Sequence, residues 1–190
     1  MTLQERIDNY VKETGYPRSL FISEDGRIVG TWIMGNNYRV KSRYYGGYPA
    51  GYLRRVKALF PDKQNVLHLF SGHVDTATFP GDTVDINPEL KPTWVDDAQR
   101  LSGVPVSDYD LTLSDPPYSV EDCDHYATTM IKRNVVMEQL GSRLLTGAHV
   151  CWLDQVLPMY RKDQFAIDGV IGIVKSTNHR FRVLTIFRKL

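Results

Sequence analysis

Short apolar runs that alternate with helical or turn-rich segments are the feature that most constrains the fold of this 190-residue chain. The runs with the composition of strands are residues 65–70, 82–86, 93–98, 110–114 and 148–153. Helical spacing of apolar residues marks 49–60 and 120–140. Because strands that alternate with helices form parallel sheets, we predict an α/β domain with an open, mostly parallel sheet that is covered on both faces.

The N-terminal part of the chain has a pattern of its own. Residues 2–13 have the spacing of a short amphipathic helix, and Thr2 is placed to cap it. Residues 19–34 contain two β-rich runs on either side of Asp25-Gly26, a dipeptide that favours a tight hairpin turn. We therefore expect residues 1–42 to form a helix-plus-hairpin N-terminal extension.

Two further β-rich runs close the chain. Residues 168–176 and 181–189 flank a short polar segment, which predicts an antiparallel hairpin. Since neither a linker nor an internal repeat divides the sequence, we expect a single domain over residues 1–190.

Composition excludes several classes of protein. The formal net charge is +1, so no overall basic field indicates nucleic acid, although a local basic face is compatible with it. The two cysteines, Cys123 and Cys151, lie far from each other, and neither a metal site nor a disulfide framework is indicated. Residues 1–13 lack the apolar core of a signal peptide, and no run approaches the length of a membrane span. A cytoplasmic protein is the simplest expectation.

Polar residues follow the predicted strands at the points where those strands end. The carboxyl ends of parallel strands meet at one edge of a sheet, where such folds bind their ligands. The sequence therefore predicts a small-molecule site at this edge. The residues concerned are Phe70-Ser71-Gly72, Asp85, Asp97 and Asp115-Pro116-Pro117-Tyr118.

Residues 115–118 have the strongest chemical character. The two prolines make the turn rigid and remove two backbone donors. A carboxylate and a carbonyl held together can both accept hydrogen bonds from an exocyclic NH2 group and so orient its lone pair. Tyr118 offers a face for a stacked base, which contributes about 1–3 kcal/mol. The alternative interpretation is a rigid strand-to-helix turn that Asp115 caps.

The other positions also have structural alternatives. Gly72 lets the backbone approach a ligand closely, but it also suits a plain turn. Asp85 could accept from ribose hydroxyls, or it could form an Asx turn into Asn87. Asp97 exchanges roles with Asp96 if the strand slips by one residue.

Several segments of the sequence resemble a known family of proteins. The tetrad 115–118, DPPY, is the signature of class I S-adenosylmethionine-dependent methyltransferases that methylate amines, typified by DNA adenine-N6 methyltransferases. Other segments are similar to that family in the same order: 44–61 before the first strand, 66–72 at its glycine loop, 84–90 at the second strand and 95–101 at the third.

The resemblance implies a three-layer, Rossmann-like methyltransferase fold with S-adenosylmethionine as cofactor. It also implies methyl transfer to an exocyclic amine, adenine N6 in DNA first of all. The residues that would hold the target are Asp115, Pro116, Pro117 and Tyr118. Those that would hold the cofactor are Tyr45, Phe70, Ser71, Gly72, Asp85, Ile86, Asp97, Ala98 and Asp115.

The chain departs from the family pattern at three places. Val74 stands where a second loop glycine is usual, and a β-branched residue tolerates a positive φ poorly, so the loop must take another path. Tyr48 follows Gly46-Gly47 at a position where the family often has a lysine. Residues 102–109 leave no room for a target-recognition segment. We therefore expect low sequence specificity, with single-stranded or loosely paired substrate favoured.

The resemblance implies nucleic acid as the partner, with DNA in preference to RNA and no membrane. A homo-oligomer or a separate specificity partner stays open, and a compact enzyme of this kind would suit a phage. Two other functions also stay open: methylation of RNA or of another amine, and a non-catalytic module that keeps the fold and binds nucleic acid or a partner.

Two basic segments could contact a nucleic-acid strand through stacking and phosphate contacts. In each, the alternative is a solvated face with the aromatic rings packed beneath it. The first comprises Tyr44, Tyr45, Tyr48 and Tyr52 with Arg39, Lys41, Arg43, Arg54 and Arg55, and the second comprises Lys175, His179, Arg180 and Arg182.

Overall fold

The computed structural model describes residues 1–16, 19–35, 48–117, 130–175 and 181–190. Its helices are α1 (Leu3–Thr14), α2 (Tyr52–Leu59) and α3 (Arg133–Arg143), with 3-10 turns at Pro88–Leu90 and Val106–Asp108. Its strands are β1 (Leu20–Ile22), β2 (Ile28–Met34), β3 (Val66–Leu69), β4 (Asp82–Asp85), β5 (Trp94–Val95), β6 (Leu111–Ser114), β7 (His149–Asp154), β8 (Phe165–Lys175) and β9 (Phe181–Lys189).

The described strands form one sheet in the order β1-β2-β8-β9-β7-β6-β3-β4-β5. Strands β1 and β9 run antiparallel to their neighbours, and all other pairings are parallel. The chain moves outwards from β3 to β4 and β5 on one side, and from β6 to β7 on the other. The topological switch point therefore lies between β3 and β6, where an open α/β sheet binds its ligand.

Alternation along the strands separates two apolar cores, one on each face of the sheet. The first, here called the α1–α2 face, joins strand residues such as Val66 and Leu113 to both N-terminal helices. The second, the α3 face, joins Leu67 and Trp152 to α3 and to the segment 96–110. Strands β3, β6 and β7 are thus buried on both sides, as their apolar runs predict, and the sheet is the middle of three layers.

The helix and the hairpin predicted near the N-terminus are present. Thr2 caps α1 through a reciprocal capping box with Glu5. Strands β1 and β2 pair in an antiparallel hairpin whose turn contains Gly26 at φ 77°. Because β2 also pairs in parallel with β8, this hairpin extends the main sheet. The predicted closing hairpin is present as β8 and β9.

The crossovers from β3 to β5 are short and contain turns and one 3-10 turn. The predicted strand 93–98 is longer than the observed β5, Trp94–Val95. The carbonyl of Asp97 accepts from the backbone N–H groups of Arg100 and Leu101, each at 2.8 Å. This turn bends the chain away from the sheet and ends the strand early.

The predicted helices differ from the observed ones at their ends. Gly51 adopts the left-handed conformation immediately before α2, so that helix begins at Tyr52 rather than near residue 49. Of the predicted helical segment 120–140, the structure describes the part from residue 130, in which α3 begins at Arg133. In the described part of the chain, no helix is long and apolar enough to span a membrane.

Candidate functional site

Four strand ends meet at the carboxyl edge of the sheet. Strands β5, β4, β3 and β6 are consecutive neighbours, so the loops after them are adjacent in space. The predicted site residues in the described part of the chain all lie in these loops or at these strand ends. Tyr45 and Tyr118, the remaining two, lie outside the described residues.

The loop after β3 has an unusual backbone. Phe70 and Gly72 adopt left-handed conformations, with φ values of 55° and 51°. A positive φ at an aromatic residue is uncommon and costs roughly 1–3 kcal/mol, and such strain concentrates at ligand sites. Val74 is not among the residues with positive φ, and its side chain packs against the α1–α2 face. In this loop the positive φ values therefore fall at residues 70 and 72 and not at Val74.

Asp85 ties two loops together at the end of β4. Its Oδ2 atom accepts a hydrogen bond from the backbone N–H of Gly72 at 2.9 Å, and its Oδ1 atom accepts from that of Asn87 at 2.9 Å. The second bond is the Asx turn that the structural alternative predicts. A carboxylate has about four lone-pair sites, so both oxygens can still accept from a ligand. Ile86, beside it, is 57% exposed at the same edge.

Asp96 and Asp97 have different surroundings. Asp96 closes its own loop, because its two carboxylate oxygens accept from the backbone N–H groups of Asp97 at 2.7 Å and of Gly103 at 2.9 Å. The carboxylate of Asp97 accepts from the backbone N–H of Gln99 at 2.9 Å, and the side-chain amide of Gln99 lies 3.4 Å from each of its oxygens. Both carboxylates thus take part in the hydrogen bonding of their own loop. Ala98, between these turns, is buried in the α3 face.

Asp115 follows β6 on the α1–α2 side of the sheet. One guanidinium nitrogen of Arg182, at the start of β9, lies 4.0 Å from a carboxylate oxygen of Asp115. The two side chains are 14% and 13% exposed for Asp115 and Arg182 respectively, so the ion pair is largely screened from water. Pro116 is buried and Pro117 is partly buried. The rigid turn thus presents the carboxylate at the switch point.

Two tyrosines pack close to this carboxylate. The rings of Tyr48 and Tyr52 stack with their centroids 4.9 Å apart, and both hydroxyl oxygens are buried. Burial is the main reason that the pKa of each hydroxyl is raised well above its usual value, and the negative charge of Asp115 raises both further. These hydroxyls stay protonated at neutral pH and cannot serve as bases. Burial also raises the pKa of the Cys151 thiol, which makes it a poor nucleophile.

In the described part of the basic and aromatic segment around residue 50, Tyr52 and Arg55 are buried, whereas Arg54 is exposed. Tyr52 is fully buried, and the guanidinium of Arg55 lies 4.3 Å from the ring centroid of Tyr16. Arg54 donates to the backbone carbonyl of Glu13 at 3.0 Å. The structure therefore favours the packed alternative over a nucleic-acid surface for Tyr52 and Arg55. Of the remaining predicted members of the two segments, Tyr48, Lys175 and Arg182 are among the described residues. The others lie outside the described residues: Arg39, Lys41, Arg43, Tyr44, Tyr45, His179 and Arg180.

A buried ion pair at the same edge is absent from the predicted site residues. Asp154, the last residue of β7, is fully buried and accepts from Arg133 at 2.6 Å and 3.3 Å. The indole N–H of Trp152 donates to the same carboxylate at 3.1 Å. An available signal was that this apolar run also ends in an aspartate, like those that end in Asp85 and Asp115. The pair holds the start of α3 against the site edge.

A cavity of about 560 Å³ lies at the opposite edge of the sheet. It is open to solvent and is lined by residues at the amino ends of β3 and β4, among them Asn65 and Asp82. Asp82 accepts from the hydroxyl of Tyr109 at 2.8 Å. None of the predicted site residues lines this cavity. Because ligands of open α/β sheets bind at the carboxyl edge, we place the candidate site there.

Comparison with known proteins supports the fold. Neither a protein-family model nor a curated protein sequence matches the chain. Among solved structures, TrmN from Thermus thermophilus matches with a TM-score of 0.52 and 16% identity, over 73% of this chain and 48% of that one. The chain thus spans about half the length of TrmN.

Two further solved structures match with lower scores. The N-methyltransferase NodS from Bradyrhizobium japonicum WM9, in complex with S-adenosyl-L-homocysteine, has a TM-score of 0.49 and 11% identity, over 72% of this chain and 83% of that one. An rRNA methylase from Streptococcus thermophilus has a TM-score of 0.45 and 12% identity, over 68% of this chain and 89% of that one. The likeness to TrmN confirms the predicted Rossmann-like methyltransferase fold.

Proposed function

We propose that this protein transfers a methyl group from S-adenosylmethionine to an exocyclic amine, adenine N6 in DNA, with low sequence specificity. The observation that carries the proposal is the position of Asp115-Pro116-Pro117. This rigid acceptor turn ends β6 beside the switch point, next to the left-handed loop that contains Gly72. The fold shared with TrmN supports the same chemistry.

The loops after β3, β4 and β5 fit the proposed cofactor. Gly72 has no side chain to obstruct a ligand, and Asp85 keeps acceptor capacity suited to ribose hydroxyls. Asp97 adds a second carboxylate, so the edge is acidic and favours a cationic ligand. Phe70, Ser71, Ile86 and Ala98 complete the proposed contacts of the described chain. When bound there, the cofactor supplies an electrophilic methyl group on a positively charged sulfur.

Asp115 and the proline turn would hold the amine. The carboxylate and a proline carbonyl each accept one N–H of an NH2 group, which leaves the nitrogen lone pair to point at the methyl group. Because a primary amine can lose its extra proton after the transfer, the site needs no strong base. This fits the two neighbouring tyrosines, which remain protonated. Tyr118 would stack on the target base.

The structure between β5 and β6 bears on specificity. Leu101, Val104 and Val106 are buried in the α3 face, so this segment forms part of the core instead of a protruding recognition segment. A target inside a duplex would also have to be flipped out, at a cost of a few kcal/mol. We therefore propose single-stranded or loosely paired DNA as the preferred substrate, and a strong preference for one short duplex motif would contradict this part.

A second candidate is a non-catalytic module that keeps the fold. Asp85 already accepts two backbone hydrogen bonds, and Asp115 already pairs with Arg182. A protein that uses these groups only for its own structure would show the same contacts. Methylation of RNA or of another amine is a third candidate function, since a rigid acceptor turn recognises any NH2 group of suitable shape.

Transfer of a radiolabelled methyl group would test the proposal. The substrates would be single-stranded DNA, duplex DNA and RNA of one sequence, together with a DNA in which hypoxanthine replaces every adenine and so removes the amine. We expect label in the adenine-containing single strand and none with hypoxanthine. Asp115→Ala should reduce transfer about 100-fold or more, whereas Asp108→Ala, at the opposite edge, should retain it. Equal labelling of the adenine-containing DNA and of the hypoxanthine-containing DNA would contradict adenine as the target.

A further inference from the structure

We propose that Arg182 is a positioning residue that holds Asp115 in the ionised, outward-directed state in which it selects an amine. The inference rests on the proposed function, because it gives a role to a residue of the closing hairpin in the same site. Arg182 belongs to the second of the two basic segments for which nucleic-acid contact is a prediction. Its side chain instead lies against the acceptor turn.

Topology explains why a residue of β9 can reach β6. The order β6-β7-β9 places one strand between them, so their backbones are roughly 10 Å apart. Leu113, in β6, and Leu184, in β9, both point to the α1–α2 face. Asp115 and Arg182 lie two residues from these leucines, so alternation directs them to that same face. The long arginine side chain can therefore bridge over β7 to the carboxylate.

The surroundings make this contact stronger than an ordinary surface pair. Both side chains are mostly shielded from water. Two opposite charges attract each other more strongly when they are shielded from water than when they are exposed to it. Tyr52 and Cys151 are fully buried in the α1–α2 face, the face to which both side chains are directed. Burial raises the pKa of both groups and keeps them neutral, and the charge of Asp115 adds to the shift of Tyr52. Arg182 is thus the cation that the described chain brings to this carboxylate.

The charge state of Asp115 decides what the site can recognise. An ionised carboxylate only accepts hydrogen bonds, whereas a protonated carboxyl group can also donate one. A carboxyl group shielded from water tends towards its neutral form unless a cation opposes that tendency. By keeping Asp115 ionised, Arg182 would make the site select a donor, such as an NH2 group, and reject a carbonyl oxygen at the same position. The pair would also limit the rotation of the carboxylate, since one of its oxygens stays turned towards β9.

A test that needs no methyl transfer is a double-mutant cycle. The unfolding midpoint in urea would be measured for Arg182→Met, for Asp115→Asn and for the double variant. We expect the double variant to lose less than the sum of the two single losses, because each single change removes the same contact. Arg188→Met combined with Asp115→Asn is the matched control. Arg188 is also in β9, but it pairs with Asp168 at the opposite end, 3.0 Å away, so its effect should add.

Kinetics then test the positioning role. With adenine-containing single-stranded DNA, Arg182→Met should lower kcat about 10- to 100-fold and leave the KM for DNA within about twofold of the wild-type value. Arg182→Lys, which keeps the charge, should restore part of the loss, and Arg188→Met should retain wild-type kcat. In the Asp115→Asn background, Arg182→Met should cause no further loss, since it acts through that carboxylate.

The outcomes separate the two proposals. Additive unfolding losses, or an unchanged kcat in Arg182→Met, would overturn the role of Arg182. A raised KM with normal kcat would also overturn it, and would indicate that Arg182 anchors the DNA directly. A wild-type protein that transfers no methyl group to any substrate would contradict the proposed function, and the unfolding cycle would still decide whether Arg182 holds Asp115.

Discussion

The carboxylate of Asp85 accepts a hydrogen bond of 2.9 Å from the backbone N–H of Gly72, and so links the end of β4 to the loop after β3. The same carboxylate accepts from Asn87, which starts the following turn. One side chain therefore sets the relative position of the two loops that flank the proposed cofactor site. The conformation of Gly72 and the presence of the Asp85 carboxylate are both needed for this arrangement.

The left-handed conformation of Gly72 predicts a specific cost of substitution. Gly72→Ala should destabilise the protein by about 1 kcal/mol, because a Cβ is disfavoured at its φ of 51°. Gly103→Ala is the matched control. Gly103 is not among the residues with positive φ, and an added Cβ there would meet its nearest neighbour at 3.9 Å. Urea unfolding of both variants checks this, and equal losses would contradict the assigned loop conformation.

The ion pair between Arg133 and Asp154 predicts a large loss of stability. Arg133→Met would leave the fully buried carboxylate of Asp154 without its cation, which should cost about 3 kcal/mol. Arg161→Met is the control, because Arg161 and Asp163 form an exposed pair with side chains 64% and 62% exposed. That control should show no measurable change in unfolding free energy. Similar losses in the two variants would show that the Asp154 pair is not buried.

The burial of His68 leads to a prediction of how the stability of the protein depends on pH. Burial is the main reason that its pKa is lowered to about 4, and its hydrogen bond with the carbonyl of Phe79 only partly opposes the shift. The folded protein holds this imidazole neutral, whereas the unfolded chain protonates it near pH 6.5. Stability should therefore fall as pH drops from about 6.5 to about 4, by roughly 3 kcal/mol from this group. Burial also lowers the pKa of His149, which acts in the same direction.

A series of urea unfolding curves from pH 4 to pH 7 would check the role of His68. His68→Gln should flatten the dependence, because glutamine does not titrate. The same slope in His68→Gln and in the wild type would contradict a neutral buried His68.

Local patterns predicted most of the fold. The hairpin around Asp25-Gly26 and the capped helix after Thr2 were predictable because their signals lie within a few adjacent residues. The parallel strands were predictable because burial on both faces requires continuous apolar runs. The end of β5 was not, since residues 96–98 have strand composition but form turns held by hydrogen bonds.

Long-range pairings explain what the sequence could not predict about the site. Arg182 and Asp115 meet only because β7 and β9 are neighbours in the sheet, and Arg133 meets Asp154 across the α3 face. The predicted ligand role of Asp85 stays a prediction, while its Asx turn is observed. The burial of Tyr52, in the aromatic and basic segment, was also not predictable from the sequence, because it depends on the packing of helix α1 against α2.

Calorimetric titration with S-adenosylmethionine tests the central claim most directly. The wild-type protein and two variants of the same strand, Asp85→Ala and Asp82→Ala, would be compared after circular dichroism has shown that each is folded. Asp82 lies at the opposite end of β4, where it accepts from Tyr109. We predict saturable binding by the wild type and by Asp82→Ala, and affinity reduced about tenfold or more in Asp85→Ala. No binding by the wild type, or equal affinity in all three proteins, would contradict the proposed cofactor site.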